Sequence, residues 1–200
     1  MTKDFFQQKA GNYEQDEKRV NNVENIANSI LKSYTFHKSM QIMDFGSGTG
    51  LLLEKIAPFV GKITAVDISD SMNKELEAKR NRLGCRLEIL EMDLSKTKLD
   101  KKFDGIISSM TMHHVEDIPT MLYNFNEMLN ENGILAIADL DEEDGSFHTE
   151  DTGVFHFGFD RKKFLTSAKD AGFKNLKITS ASVACKPHGK YPIFLLTGIK

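Results

Sequence analysis

Apolar positions along the chain alternate between two periods. Short unbroken runs at Ile42–Phe45, Ile63–Val66, Leu87–Leu90, Phe103 with Gly105–Ser109, and Ile134–Ala138 have the length and residue types of strands buried on both faces. Between them apolar residues recur at three- and four-residue steps, the spacing of one helix face. Val20, Val23, Ala27, Ile30 and Tyr34 predict a helix within the first 40 residues. Leu51, Leu52, Ile56 and Ala57 predict a second, starting at a glycine loop. Met72, Leu76 and Leu83 predict a third, with Ser69, Asp70 and Ser71 as candidate N-caps. Asp117, with Pro119 in the first turn, opens a fourth that carries Ile118, Met121, Leu122, Phe125, Met128 and Leu129 and stops at Asn132-Gly133. Asp160 opens a fifth with Phe164, Leu165, Ala168 and Ala171, closed by Gly172. Leu176–Val183 and Ile193–Ile199 read as two last strands, joined through a turn at Pro187, Gly189 and Pro192.

Strands that alternate with helices predict an α/β fold. The expectation is a doubly wound, mostly parallel seven-stranded sheet with helices on both faces and the last strand antiparallel. A chain of 200 residues suits a single structural domain. Within it, residues 1–38 are expected to form a helical cap on a main domain over 39–200.

Composition narrows the class of partner. Lys and Arg total 26 and Asp and Glu total 29, a net charge of −3, so no basic nucleic-acid footprint is expected. No run approaches the ~18 apolar residues of a membrane span, and the first residues lack the apolar core of a signal peptide. A cytoplasmic protein, monomeric or homodimeric, with no membrane partner is expected. Cys85 and Cys185 have no CxxC spacing and are expected as reduced, partly buried thiols.

The most informative segment is Ile42-Met43-Asp44-Phe45-Gly46-Ser47-Gly48-Thr49-Gly50, between a strand and an amphipathic helix. Glycines here permit a tight turn and close approach of a ligand to the backbone. The helix start beyond them offers free N–H groups to an anion. Asp67 ends the second strand, where an acid can accept from both hydroxyls of a ribose. The G-x-G-x-G spacing departs from the G-x-G-x-x-G of dinucleotide binders.

This strand and loop resemble the first motif of the class I S-adenosylmethionine-dependent methyltransferases. Val66-Asp67-Ile68-Ser69 resembles their second motif, Met92-Asp93-Leu94 the third, and Phe103 to Val115 the fourth. Leu129–Leu135 and Ala171-Gly172-Phe173 resemble the approaches to strands five and six, so the likeness runs from about residue 40 to the C-terminus. The resemblance implies a Rossmann-like methyltransferase fold, S-adenosylmethionine as cofactor and S-adenosylhomocysteine as product. It implies that Asp44, Gly46, Ser47, Gly48, Thr49 and Gly50 hold the methionine end and Asp67 the ribose. Ile68 and Met72 would pack on the adenine, with Asp93 accepting from its amino group between Met92 and Leu94. Ser109 and Met110 would lie beneath the sulfonium, and Tyr13, in Ala10-Gly11-Asn12-Tyr13-Glu14, would cover the cofactor. An aromatic face suits a sulfonium cation.

Methyl transfer from a sulfonium is an in-line displacement, to which an enzyme contributes positioning, exclusion of water and, where the nucleophile must lose a proton, a base. Candidate catalytic groups are His114, His148 and His156, with His113 beside the first. A ligand set drawn from Asp139, Asp141, His148 and His156 matches no zinc or calcium spacing, so no metal is expected. From Phe103 to Asp160 there is no Lys or Arg and there are thirteen Asp or Glu. An acceptor mouth of negative potential would favour a neutral or cationic small molecule over nucleic acid. Two other readings predict different chemistry: a non-catalytic S-adenosylmethionine-binding regulatory module, marked by a blocked acceptor pocket, and a nicotinamide-dependent oxidoreductase, which the glycine spacing opposes. A nucleic-acid methyltransferase would need a basic groove and an Asn/Asp-Pro-Pro-Tyr-like motif after strand four, in place of Ser108-Ser109-Met110-Thr111.

Overall fold

A computed structural model describes residues 4–200. Seven strands are laid down in chain order: β1 (Gln41–Phe45), β2 (Lys62–Asp67), β3 (Arg86–Glu91), β4 (Phe103–Ser109), β5 (Leu129–Leu140), β6 (Lys174–Lys186) and β7 (Gly189–Ile199). The helices are α1 (Glu17–Ser33), α2 (Leu51–Ile56), α3 (Asp70–Lys79), α4 (Ile118–Met128) and α5 (Arg161–Asp170). The spatial order is β3-β2-β1-β4-β5-β7-β6. β1 to β5 pair in parallel, and β7 runs against both β5 and β6. The expected doubly wound sheet is therefore present, with β7 as its antiparallel member.

Successive strand residues point to opposite faces, so each strand feeds two cores. Ile107 joins Ile26 and Ile30 of α1 and Leu53 and Ile56 of α2 on one side. Ile106 joins Leu122 and Phe125 of α4 and Phe164 of α5 on the other. The N-caps follow the sequence: Asp16 caps α1, Ser69 α3, Asp117 α4 and Asp160 α5, each accepting backbone N–H bonds.

Several expectations need correction. The helical pattern in the first 40 residues resolves into a 3-10 turn, Ala10–Gln15, and α1, with no helix after Ser33. α4 stops at Met128 rather than at Asn132-Gly133. Leu129 already pairs with Phe103, and the next pair is Gly105 with Ile134, so the intervening residues bulge out. Asn132 sits there at φ 62, and Asn130 donates to Asp104 at 2.8 Å. The Asn-Gly stop signal serves this bulge instead. Pro192 lies inside β7, opposite Val183, next to a register shift between Ser180 and Ser182. An irregular position in the ladder is where a strand tolerates proline. Asp139 and Leu140 belong to β5, which runs two residues past the expected Ala138. Cys85 is half-buried as expected, whereas Cys185 is exposed.

The strand order reverses between β1 and β4, which leave the sheet side by side with their connections departing to opposite faces. Open α/β sheets place their ligand cleft at such a switch point, beyond the carboxyl ends of the strands. The glycine loop follows β1 there, and Met110 follows β4.

Candidate active site

The glycine loop is fixed from beneath. Gly46 and Ser47 donate to the Val66 carbonyl at 2.8 and 3.2 Å, and Gly48 N–H donates to the Asp67 carboxylate at 2.8 Å. Gly46 has φ +69, and a Cβ there would lie 2.1 Å from the Thr111 hydroxyl. Gly48 has φ +53 and nothing within 4 Å of a Cβ position, so its backbone faces open space. Across the switch point Met110 has φ 58, uncommon for a side-chain-bearing residue and a mark of local strain.

A cleft of about 260 Å³ opens between these two loops. Its lining includes Asp44, Gly46, Ser47, Gly48, Thr49, Ser109 and Met110, together with Phe6 and Tyr13 from the N-terminal segment and His113, His114 and His148. Five buried atoms in that lining, Asn22 Oδ1, Asp44 Oδ2, Ser47 Oγ, Thr49 Oγ1 and Ser109 Oγ, have no hydrogen-bond partner among the described residues. Buried polar atoms are rarely left so, and a polar ligand in the cleft would satisfy them. Burial pushes the Asp44 carboxyl up to about 8, with Asp67 adding to the shift. The methionine end of S-adenosylmethionine carries an ammonium, a carboxylate and a sulfonium, and fits this donor and acceptor set.

The expected adenine and ribose residues form a second patch at the ends of β2 and β3, outside this cleft. Asp67 is half-buried and accepts from Ser69 N–H at 2.9 Å as well as from Gly48; burial holds its carboxyl above the usual value. Ile68 is half-exposed, Met92 partly buried, and Met72 and Leu94 buried. Asp93 takes bonds from Ser95 and Lys96, which hold it below its usual value against the pull of burial. Gly50 caps α2 in the left-handed region, beneath the Leu76 side chain.

Tyr13 stands over the cleft with the Arg19 guanidinium 4.1 Å from its ring centre. Phe6 bridges it to His114 through edge-on contacts with ring centres 6.5 and 6.0 Å apart. The N-terminal segment is strapped to α3, because Asp4 accepts from Ser69 Oγ at 2.9 Å and from Ser71 Oγ at 2.7 Å.

On the acceptor side, His113 and Asp139 are fully buried and bonded at 2.6 Å through Nδ1. His113 Nε2 meets His148 Nε2 at 3.3 Å, and His148 Nδ1 meets Thr152 Oγ1 at 3.0 Å. Burial, then the neighbouring His113, pushes His114 down to about 4; the same causes take His148 down to about 4, so both rings are neutral at pH 7. His156 is not in this group. Its Nε2 reaches the Val115 carbonyl at 2.9 Å and ties the 141–160 segment to β4's exit turn.

The acidic stretch contributes one carboxylate, Glu150, to the cleft lining. Asp117 and Asp160 cap helices, Asp141 pairs with Arg161, and Asp144 braces a turn at Ser146. The same lining holds Asp16 and Asp44 beside four cations, Lys9, Lys18, Arg19 and Lys186. Sequence reading missed these cations and Thr152, which have no local signal. Asp139 had one: it is a carboxylate inside a run that is otherwise buried and apolar.

Fold and cleft define a class I methyltransferase architecture: a switch-point glycine loop, an acid ending β2 and an open pocket beyond β4. A methyltransferase-domain family model matches residues 21–178, and the chain belongs to that family of S-adenosylmethionine-dependent enzymes. A methyltransferase of uncharacterized activity from Schizosaccharomyces pombe is 26% identical over 189 residues, covering 86% of this chain and 66% of that protein, so this chain spans just under two thirds of its relative. Among solved structures, the complex of the Haloferax volcanii Trm112 methyltransferase activator with a methyltransferase matches at a TM-score of 0.78 and 14% identity, covering 100% of this chain and 99% of the other. Haemonchus contortus phosphoethanolamine N-methyltransferase 2, solved with phosphomonomethylethanolamine and S-adenosylhomocysteine, matches at 0.71 and 14%, covering 88% and 52%. Among the described residues no helix is long and apolar enough to cross a membrane.

Proposed function

We propose that this chain transfers a methyl group from S-adenosylmethionine to a small, neutral acceptor entering between Met110 and the histidines. The observation that carries the reading is the set of five unpartnered buried atoms lining the cleft at the glycine loop. S-adenosylmethionine supplies an activated methyl carbon on its sulfonium. Asp44 would pair with the cofactor's ammonium, and Ser47, Thr49 and the loop N–H groups would take its carboxylate. Asp67, already aimed at the loop, would accept from the ribose, and Asp93 from the adenine amino group, flanked by Ile68, Met72, Met92 and Leu94. Tyr13 and Phe6 would cover the sulfonium and exclude water.

His114 and His148, neutral at pH 7, form the wall facing the acceptor and are where its proton would leave. Of the two acceptor classes expected from the acidic stretch, the neutral one suits a mouth of mixed charge, with Lys9, Lys18, Arg19 and Lys186 against Asp16, Asp44 and Glu150. The open histidine-walled pocket argues against a non-catalytic module. The test is release of S-adenosylhomocysteine from S-adenosylmethionine with a panel of hydroxyl, thiol and amine compounds. Turnover on neutral members, reduced at least tenfold in His148→Ala, is the expected result; turnover confined to cationic amines would overturn the acceptor assignment.

A further inference from the structure

Three imidazoles converge at the inner wall of the cleft from two separate places in the chain. His113 and His114 stand in a 3-10 turn after β4, and His148 arrives from the segment after β5. One ring nitrogen of each lies within 4.8 Å of the other two. The His113 and His148 Nε2 atoms are 3.3 Å apart. Zinc–nitrogen bonds of 2.0–2.1 Å in a tetrahedron place neighbouring ligand nitrogens about 3.3–3.4 Å apart. The closest pair of the trio is thus already at ligand spacing, and a side-chain shift of His114 would complete the set.

The outer contacts point the same way. Nδ1 of each ring has an oxygen partner: Asp139 for His113 at 2.6 Å, Thr152 Oγ1 for His148 at 3.0 Å and the Gly153 carbonyl for His114 at 3.3 Å. Metal-binding histidines use such partners to fix the ring and leave the other nitrogen to the ion. A carboxylate, a hydroxyl and a carbonyl, each on a different ring, form a supporting shell that a chance meeting of three histidines does not require.

We propose that His113, His114 and His148 bind one divalent ion of the zinc class, with a fourth position open to the cleft for a hydroxyl or thiol of the acceptor. The ion-binding part stands independently of the proposed methyl transfer; the acceptor part rests on it. Coordination would lower the pKa of the bound O–H or S–H group, so its proton leaves to solvent and the anion is formed beside the methyl donor. The heteroatom–carbon bond then forms as the carbon–sulfur bond breaks, and the electron pair of that bond stays on sulfur. No oxidant is involved, because zinc has no redox chemistry here. On the loaded enzyme the ion takes over from the free imidazoles in stabilising the deprotonated acceptor.

The experiment is titration of the chelator-stripped full chain with zinc chloride by calorimetry, and with cobalt chloride by visible absorption. The expected result is one ion per chain at micromolar or tighter affinity, with tetrahedral cobalt bands. His148→Ala and His114→Ala should each weaken binding at least a hundredfold. Asp139→Asn, one shell out, should weaken it about 10–100-fold. His37→Ala, far from the cleft beside Ser39, should change nothing. Should a variant fail to fold, imidazole nitrogen NMR of the wild type replaces it, with zinc moving the resonances of these three rings. No saturable binding by the wild type, binding unmoved by the histidine variants, or zinc shifts confined to other histidines would each overturn the site. S-adenosylmethionine binding to the zinc-free chain is measured separately, so loss of the metal site and loss of the methyltransferase reading are told apart.

Discussion

In the proposed cofactor site, Asp44 is the residue on which capture would turn. Its carboxyl is buried, unpartnered at Oδ2 among the described residues and pushed up to about 8, so it is mostly protonated at pH 7 without a ligand. An arriving ammonium favours the carboxylate, so binding should expel a proton. Calorimetry at pH 7 in buffers of different ionisation enthalpy should show release approaching one proton in the wild type and far less in Asp44→Asn. The sign on stability follows from the same shift. A folded-state pKa above the ordinary 3.8 gives a contribution present at low pH and lost as pH rises through about 8. Melting temperatures should therefore show the wild type losing stability from about pH 4 to pH 8 relative to Asp44→Asn, and levelling off above that.

Glycines on the same loop separate folding from binding. Gly46→Ala drives a methyl into Thr111 and should destabilise the fold, whereas Gly48→Ala meets no protein atom. The second should cost only about 1–2 kcal/mol for its left-handed backbone and yet abolish cofactor binding. Equal loss of stability in both would contradict a loop shaped for a ligand. Behind the histidine wall, His113→Ala removes the 2.6 Å side-chain partner of the fully buried Asp139 carboxyl and should cost about 1–3 kcal/mol. Urea unfolding reads that loss. These roles were unevenly visible in the sequence. The loop and Asp67 sit at fixed places after strands and were legible. The partnership of His113 with Asp139 was not, because His113 stands in the turn after β4 and Asp139 near the end of β5, 26 residues apart, and they meet only in the fold.

Among the elements, the segment before α1 acts as a strap. Asp4 ties it to Ser69 and Ser71 at the start of α3, and Lys79 is held between Glu14 and Glu54, joining the 3-10 turn to α2 and α3. Asp4→Ala should speed cofactor dissociation several-fold in stopped-flow measurements while leaving the melting temperature nearly unchanged, because this contact sits at the fold's edge. An unaltered off-rate would mean that the strap does not guard the site. Element types were read correctly wherever an apolar period ran unopposed, as in α1, α4 and the five parallel strands. The boundary of α4 was misplaced for a local reason. Leu129 continues the helical stripe, but its side chain is claimed by the sheet opposite Phe103. Tertiary pairing outweighed a stop signal four residues further on.

For the whole molecule, the order of strands sets where chemistry happens. The reversal between β1 and β4 opens the cleft, and the return of the chain through β6, at the sheet's edge beyond β7, carries Lys186 to its rim. That return explains why the linear charge pattern misled. The thirteen acids from Phe103 to Asp160 share one segment of the sequence, but capping, turns and ion pairs use several of them and only Glu150 lines the cleft, beside cations from the N-terminal segment, α1 and β6. Potential at a mouth is a property of the folded surface and not of the segment.

The central claim is that the glycine-loop cleft and the Asp67 patch together bind S-adenosylmethionine. The most direct measurement is calorimetric titration of the full chain with S-adenosylmethionine and S-adenosylhomocysteine, repeated with Asp67→Ala. Micromolar binding of both ligands, lost on that substitution, is the predicted result. No binding of either, or binding indifferent to Asp67→Ala, would contradict the account.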